Sequence, residues 1–139
     1  MFAKILHAND GSEPAFHAFA FALALAKQNQ SELHMVCVEE LPYFPDFIEE
    51  VHQTTEAAVR RFERVLERAR GLAEEQGLEL NTHIFAGHPV RDIVKLAADL
   101  KVDLLVIGAQ GHSELYERMI GSRADRIIQL AQCPVMVAK

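Results

Sequence analysis

The chain has 139 residues, half of them hydrophobic, and a formal net charge of −6 at pH 7. A chain of this length can bury a substantial apolar core and has the size of a single domain. Because acidic residues outnumber basic ones and the two are interspersed, the charge pattern argues against binding to nucleic acid or to an anionic membrane surface.

The first predicted strand, Lys4–Ala8, is a short apolar run that ends at the turn-forming residues Asn9-Asp10-Gly11. Ser12 and Pro14 then predict the start of a helix that runs to about Lys27. Serine accepts backbone N–H groups at a helix start, and proline is tolerated in the first turn. The polar side chains of the turn therefore lie where a buried strand leaves the core.

The second predicted strand, Glu32–Val38, is followed by a loop in which Pro42 and Pro45 prevent continued strand pairing. Hydrophobic periodicity predicts six further elements. They are a helix from about Asp46 to Gln76, a strand over Leu78–Phe85, a helix over Val90–Leu100, a strand over Val102–Ile107, a helix from Ser122 to about Gln132 and a strand over Cys133–Ala138.

This strict alternation of strands and helices predicts one doubly wound, Rossmann-like α/β domain over residues 1–139. Strands separated by helices pair in parallel, and right-handed crossovers place the helices on both faces of a five-stranded sheet. In such a fold the ligand lies at the carboxyl ends of the strands, where the strand order reverses. The ends of the first, second and fourth strands are thus the expected walls of a site.

Glycines follow the fourth strand in the pattern G-x-x-G-x9-G-S, with Gly108, Gly111, Gly121 and Ser122 at its defined positions. Glycine lets the backbone approach a bulky anion, and a helix N-terminus offers unpaired N–H groups. Ser122 and Asp125 form a capping-box-like S-x-x-D sequence, which predicts that the last helix starts immediately after Gly121. The pattern is typical of a phosphate-binding loop.

These features resemble the universal stress proteins, the UspA-like branch of the adenine-nucleotide-binding α/β proteins. The resemblance extends from Asp10-Gly11-Ser12 through the run D-L-L-V-I-G ending at Gly108 to the terminal C-P-V sequence that starts at Cys133. It implies that the protein binds ATP, with Mg²⁺ on the phosphates. It places Gly108, Gly111, Gly121 and Ser122 at the sugar and phosphates, Asp10 and the backbone of Ala8 near the nucleoside, and Val38 against the adenine.

Three positions depart from the pattern of this family. Glu114 stands where many members have glycine, Arg123 where a small or β-branched residue is usual, and Asn9 where an apolar residue is usual. A carboxylate near phosphates is repulsive unless Mg²⁺ or an arginine compensates, and Arg118 or Arg123 could supply that charge. These changes bear on the affinity and the nucleotide preference.

Several residues have a purely structural interpretation as well. The glycines could form tight turns without a ligand, Asp10 could serve only an Asx-turn, and Ser122 could only cap its helix. The aromatic residues of the loop after the second strand could cover a nucleotide or a partner, or pack over the sheet edge. They are Tyr43, Phe44 and Phe47.

Two functional hypotheses follow. The first is an ATP- or ADP-binding regulatory homodimer that acts on an unknown protein partner; the resemblance implies that the C-terminal strand pairs with its own copy. The alternative is a nucleotide-independent dimeric interaction module that uses the Leu41–Phe47 loop. The chain lacks a P-loop lysine and an activated nucleophile, so we expect a binding protein with at most slow, incidental ATP hydrolysis.

The remaining expectations concern location, thiols and metals. The N-terminal residues do not resemble a signal peptide, and the longest apolar stretch, Ala18–Ala26, is shorter than the roughly 20 residues of a membrane helix. We therefore expect a cytoplasmic protein. Cys37 and Cys133 are predicted to be reduced and buried, and the seven histidines show no metal-ligand spacing.

Overall fold

A computed structural model describes residues 1–41, 48–109 and 120–139, with only the backbone described over 48–54. Within these ranges strands and helices alternate, as the hydrophobic pattern predicts. They are β1 (Lys4–Ala8), α1 (Glu13–Asn29), β2 (Glu32–Glu40), α2 (Ile48–Glu75), β3 (Leu80–Gly87), α3 (Pro89–Leu100), β4 (Leu104–Gly108), α4 (Ser122–Leu130) and β5 (Val135–Ala138).

The five strands form one sheet in the order β3-β2-β1-β4-β5. Every pair is parallel; Leu6 of the central strand, for example, lies opposite His34 on one side and Leu105 on the other. The strand order reverses between β1 and β4, which leaves the carboxyl ends of these two strands beside a crevice. The predicted doubly wound α/β fold is confirmed.

Helices cover both faces of the sheet. On one face, α1 and α2 pack against β1, β2 and β4 through a core that includes Phe19, Met35 and Phe62. On the other face, α3 and α4 pack through a core that includes Ile93 and Ile127. Among the helices in the described ranges, none has both the length and the apolar character needed to cross a bilayer.

β2 is two residues longer than predicted. Its pairing with β3 continues to Glu40, which lies opposite Gly87, and the amide of Leu41 donates a further hydrogen bond to the Gly87 carbonyl. The neighbouring strand supplies hydrogen-bond partners that local sequence does not reveal, so β2 continues to Glu40. This extension carries Glu39 and Glu40 beyond the carboxyl end of β1.

Candidate functional site

A cavity of about 530 Å³ lies at the carboxyl ends of the central strands, where the strand order reverses. We call it the strand-end cavity. Six of the seven residues predicted to bind a nucleotide line it, and the seventh, Gly111, lies outside the described residues. Those six are Ala8, Asp10, Val38, Gly108, Gly121 and Ser122. Residues that are up to 114 positions apart in sequence thus share one concave surface.

The turn after β1 is held by a chain of three side-chain hydrogen bonds. His7 Nδ1 donates to the Val106 carbonyl at 3.0 Å, and Asn9 Nδ2 donates to His7 Nε2 at 3.2 Å. Asn9 Oδ1 in turn accepts the amide of Gly11 at 2.7 Å. The chain connects the interior of β4 to the turn that carries Asp10, and it assigns the neutral ring of His7 a proton on Nδ1.

Asp10 lies in the turn that this chain holds. Its Oδ1 accepts hydrogen bonds from the backbone amide of Ser12, at 3.0 Å, and from the Ser12 hydroxyl. Asp10 therefore forms the Asx-turn that its structural interpretation predicts. Gly11 has φ of +87°, a value that favours glycine and lets the chain reverse direction immediately after the carboxylate. Asp10 is nonetheless exposed and lines the strand-end cavity.

Gly108 lies at the end of β4, where the sheet meets the start of α1. A Cβ atom at this position would be 3.0 Å from the carbonyl oxygen of Pro14 and 3.3 Å from its carbonyl carbon. The backbone of α1 therefore approaches β4 too closely for a larger residue. This packing gives Gly108 a structural role that is independent of any ligand.

The N-terminus of α4 faces the same cavity. Gly121, with φ of −62° and ψ of 156°, is the N-cap residue, and no side-chain hydrogen bond caps the helix in the described structure. The predicted helix start immediately after Gly121 is confirmed, but the S-x-x-D capping interaction does not form: Ser122 is the first helical residue, and the Asp125 carboxylate accepts from Gln129. A helix start without a side-chain cap leaves first-turn N–H groups to bind an anion.

This arrangement contrasts with the start of α1. There the Ser12 hydroxyl accepts the amide of Ala15 at 3.2 Å, as predicted. The two helices begin at the same edge of the sheet, but the first has its own capping side chain. The α4 N-terminus is therefore the better anion site of the two.

Apolar side chains form the rest of the wall. Val36 and Val38 come from β2, and Ile107 comes from β4. Pro89 and Ile93 of α3 also line the cavity, and sequence analysis missed both. Periodicity could have marked Ile93 as buried, but only the strand order shows that α3 crosses to this part of the sheet. An apolar wall beside a helix N-terminus suits a ligand with a flat apolar part and an anionic part.

Two departures from the family pattern make defined contacts: Asn9, described above, and Arg123. Arg123 forms an ion pair with Glu40, which joins the start of α4 to the end of β2. Both side chains are more than half exposed. Glu114 and Arg118 lie outside the described residues, as do Tyr43, Phe44 and Phe47 of the loop after β2.

Two buried titratable groups lie on the strands that form the cavity, next to residues that line it. Burial lowers the pKa of His7 to about 4, against the opposing effects of its hydrogen bond to Val106 and the nearby Asp10 charge. Burial also raises the pKa of the Cys37 thiol to about 12, and Asp10 adds to that shift. Both groups are therefore neutral at physiological pH. Neither is in the state that a general acid or a nucleophile requires.

The described residues contain no cluster of three or more His, Cys, Asp or Glu side chains able to hold a metal ion. Cys37 is buried and Cys133 half-buried, and both are free thiols, so burial is complete for only one of the two. Among the described residues that line the cavity, Asp10 provides the one carboxylate. A divalent cation at this site would need ligands from a bound molecule.

The sequence matches a known protein family over its whole length. The family model described as the universal stress protein family matches residues 1–139. Universal stress protein YxiE of Bacillus subtilis is 32% identical over 151 residues, with 100% of each chain covered. A universal stress protein of Methanocaldococcus jannaschii is 30% identical, covering 100% of this chain and 83% of the relative. The chain belongs to the universal stress protein family.

Solved structures agree with this assignment at the level of the fold. Universal stress protein UspA from Lactobacillus plantarum superimposes with a TM-score of 0.86 at 24% identity, covering 99% of this chain and 98% of that one. A universal stress protein in complex with cAMP gives 0.77 at 22% identity, covering 99% and 97%. The Archaeoglobus fulgidus protein in complex with dAMP gives 0.65 at 22% identity, covering 100% and 98%.

Proposed function

We propose that this protein binds adenine nucleotides, ATP or ADP, in the strand-end cavity and acts as a nucleotide-dependent regulatory homodimer. The observation that carries the proposal is the convergence of the β1 turn, the end of β2 and the start of α4 on one cavity of about 530 Å³. That volume lies within the usual range of small-molecule sites, about 300–1,000 Å³. Binding of cAMP and dAMP by relatives of the same fold supports it.

The lining residues fit the parts of an adenine nucleotide. The aliphatic side chains of Val36, Val38 and Ile107 offer a surface for the base. The Asp10 carboxylate can accept hydrogen bonds from ribose hydroxyls. The first turn of α4, at Gly121 and Ser122, offers backbone amides and a hydroxyl to phosphate oxygens. Gly111 would join this phosphate-binding group, and Mg²⁺ would be held through the phosphates.

The position of β5 supports the dimer part of the proposal. β5 is an edge strand of the sheet, and Val135, Met136 and Val137 are only half-buried in the described chain. An edge strand with apolar side chains presents unpaired backbone groups to a second strand. We infer that two copies pair through β5 and that a further protein partner responds to nucleotide occupancy in the cytoplasm.

We infer binding rather than catalysis. Phosphoryl transfer requires groups that stabilise charge on the transferred phosphate and orient an attacking water. Among the described lining residues, Arg123 is the one cation, and it is engaged by Glu40. Slow, incidental hydrolysis of ATP is the most activity that this arrangement supports.

Calorimetry with ATP, ADP and AMP in the presence of Mg²⁺ tests the proposal directly. The matched variant is Gly121→Val, because the backbone angles at Gly121 suit any residue and Gly121 lines the cavity, so we expect the added side chain to obstruct the ligand. We expect the wild type to bind and the variant to lose at least about tenfold in affinity, the cost of one displaced phosphate contact. Gly71→Ala, on exposed α2 surface, is the control. Absence of binding by the wild type would refute the proposal.

A further inference from the structure

A second cavity, of about 710 Å³, lies between the outer surfaces of α3 and α4. We call it the basic cleft because Arg91 and Lys95 of α3 and Arg123 and Arg126 of α4 line it. Glu40 is the one carboxylate among the described residues in its wall. With four cations and one carboxylate, the wall of the cleft is positively charged, whereas the whole chain has a net charge of −6. Such a local excess concentrates anions.

Most of these cations are only weakly engaged. Arg91 Nε lies 3.4 Å from a carboxylate oxygen of Asp92, and Lys95 Nζ lies 2.9 Å from one of Asp99. Exposed pairs of this kind contribute little and exchange readily with solvent ions. Arg126 makes no ion pair with any residue that the structure describes. The cleft therefore keeps several cationic groups that can bind a ligand.

The basic cleft continues directly from the strand-end cavity. Pro89, Ser122 and Arg123 line both. The boundary between the two lies at the first turn of α4, where the proposed function places phosphates. From Ser122 to Arg126 the helix rises about 6 Å, so the cleft leads away from this boundary along the helix.

The ion pair between Arg123 and Glu40 lies at this boundary. Because both side chains are exposed, the pair is weak and solvent competes with it. A phosphate group at the start of α4 would offer Arg123 two oxygens in place of the Glu40 carboxylate. Arginine binds phosphate in this bidentate way, and such charge-assisted hydrogen bonds are among the stronger ones in proteins.

We propose that the basic cleft receives the distal part of the phosphate chain of an adenine nucleotide whose nucleoside occupies the strand-end cavity. The ligand class is thus adenine nucleotides with extended phosphate chains, including those that carry a second group beyond the chain. Arg123 binds the chain where it leaves the first cavity, and Arg91 and Arg126 bind its far end. This inference rests on the proposed function and adds a preference for chain length to it.

The test compares AMP, ATP and adenosine 5′-tetraphosphate by calorimetry at constant Mg²⁺, with inorganic tripolyphosphate as a probe of the cleft alone. The variant is Arg91→Gln/Arg126→Gln, since glutamine keeps a helix propensity close to that of arginine. The control is Arg60→Gln/Arg64→Gln, which makes the same charge change on exposed positions of α2, across the sheet from α3 and α4. Unchanged AMP binding by each variant reports an intact fold.

We expect affinity in the wild type to rise about tenfold from AMP to the tetraphosphate, the effect of one additional charge-assisted hydrogen bond. The gain should disappear in R91Q/R126Q and persist in R60Q/R64Q. Tripolyphosphate should bind the wild type, more weakly as salt is raised, and fail to bind R91Q/R126Q.

Two failures are distinguishable. If AMP binds but chain length brings no gain, or if R91Q/R126Q keeps the gain, the cleft proposal is overturned and the proposed function stands. If AMP, ATP and the tetraphosphate all fail to bind, the proposed function is overturned and the cleft proposal, which rests on it, is overturned with it.

Discussion

Asn9 Nδ2 donates a hydrogen bond of 3.2 Å to Nε2 of His7, and both side chains are buried beneath the turn that carries Asp10. The two residues depend on each other. An apolar residue at position 9 would leave the His7 nitrogen buried without a donor, and an apolar residue at position 7 would leave the Asn9 amide without its acceptor. The pair explains how this chain accommodates a polar residue at a position that is usually apolar in proteins it resembles.

We expect Asn9→Ala to lower the free energy of unfolding by about 1–3 kcal/mol, because the buried His7 nitrogen loses its donor and the Gly11 amide loses its acceptor. Urea unfolding of Asn9→Ala, His7→Leu and the double variant gives the coupling energy. That energy should be about 1 kcal/mol or more. Asn9→Ala combined with His17→Leu, at an exposed position, is the control and should be additive. If the effects of Asn9→Ala and His7→Leu on the free energy of unfolding were additive, the pairing of the two residues would be contradicted.

The buried His7 ring predicts acid sensitivity. Its pKa in the folded protein, about 4, lies below the 6.5 of the unfolded chain. Between these values the unfolded state binds a proton that the folded state does not, so stability is lost as pH falls from about 6.5 towards 4. A difference of this size corresponds to about 3 kcal/mol at full extent. Burial lowers the pKa of His83 as well, and this adds an effect of the same sign.

The free energy of unfolding, measured at several pH values, should therefore fall as the pH is lowered. His7→Gln should reduce this pH dependence, and the exposed variant His17→Gln should not. Comparison with the wild type removes the contribution of His83. An NMR titration of the wild type provides a second readout that needs no variant. A His7 ring signal that titrates near pH 6.5 would show that the ring is not held neutral by burial.

Gly108 should be required for packing even without a ligand. In Gly108→Ala the added methyl group would lie 3.0 Å from the Pro14 carbonyl oxygen, so the start of α1 has to move away from β4. We expect a loss of about 1–3 kcal/mol in the free energy of unfolding, as for other overpacked sites. Gly71→Ala is the matched control: it lies within α2 with open space around it and should gain about 0.5–1 kcal/mol. Equal effects of the two substitutions would contradict the close approach.

Cys37 should be unreactive in the folded protein. Its thiol is buried, and burial raises its pKa to about 12, so almost no thiolate is available at neutral pH. A colorimetric thiol reagent should label Cys133→Ser only after denaturation. Cys37→Ser, which keeps the half-buried Cys133, serves as the comparison and should react faster than Cys133→Ser. Rapid labelling of Cys37 in native Cys133→Ser would overturn the assignment.

The fold was predictable because its determinants are local. A continuous apolar run such as Leu104–Ile107 predicts a buried strand. The turn-forming residues Asn9-Asp10-Gly11 predict that β1 ends at Ala8, and the structure ends it there. Alternation of strands with helices then leaves parallel pairing as the arrangement that buries both faces of the sheet. Element ends were less predictable: β2 continues to Glu40 because β3 supplies its partners, and those partners are distant in sequence.

Much of the candidate site could also be inferred from sequence, since glycines after a strand and a serine at a helix start have few structural uses. By itself, the sequence determined the fold, the family and the grouping of Ala8, Asp10, Val38, Gly108, Gly121 and Ser122. The residues that surround these six could be identified only from the tertiary structure. The Pro89 and Ile93 wall and the basic cleft join elements whose contacts depend on helix placement. Packing across the sheet sets that placement, and local sequence carries no signal for it.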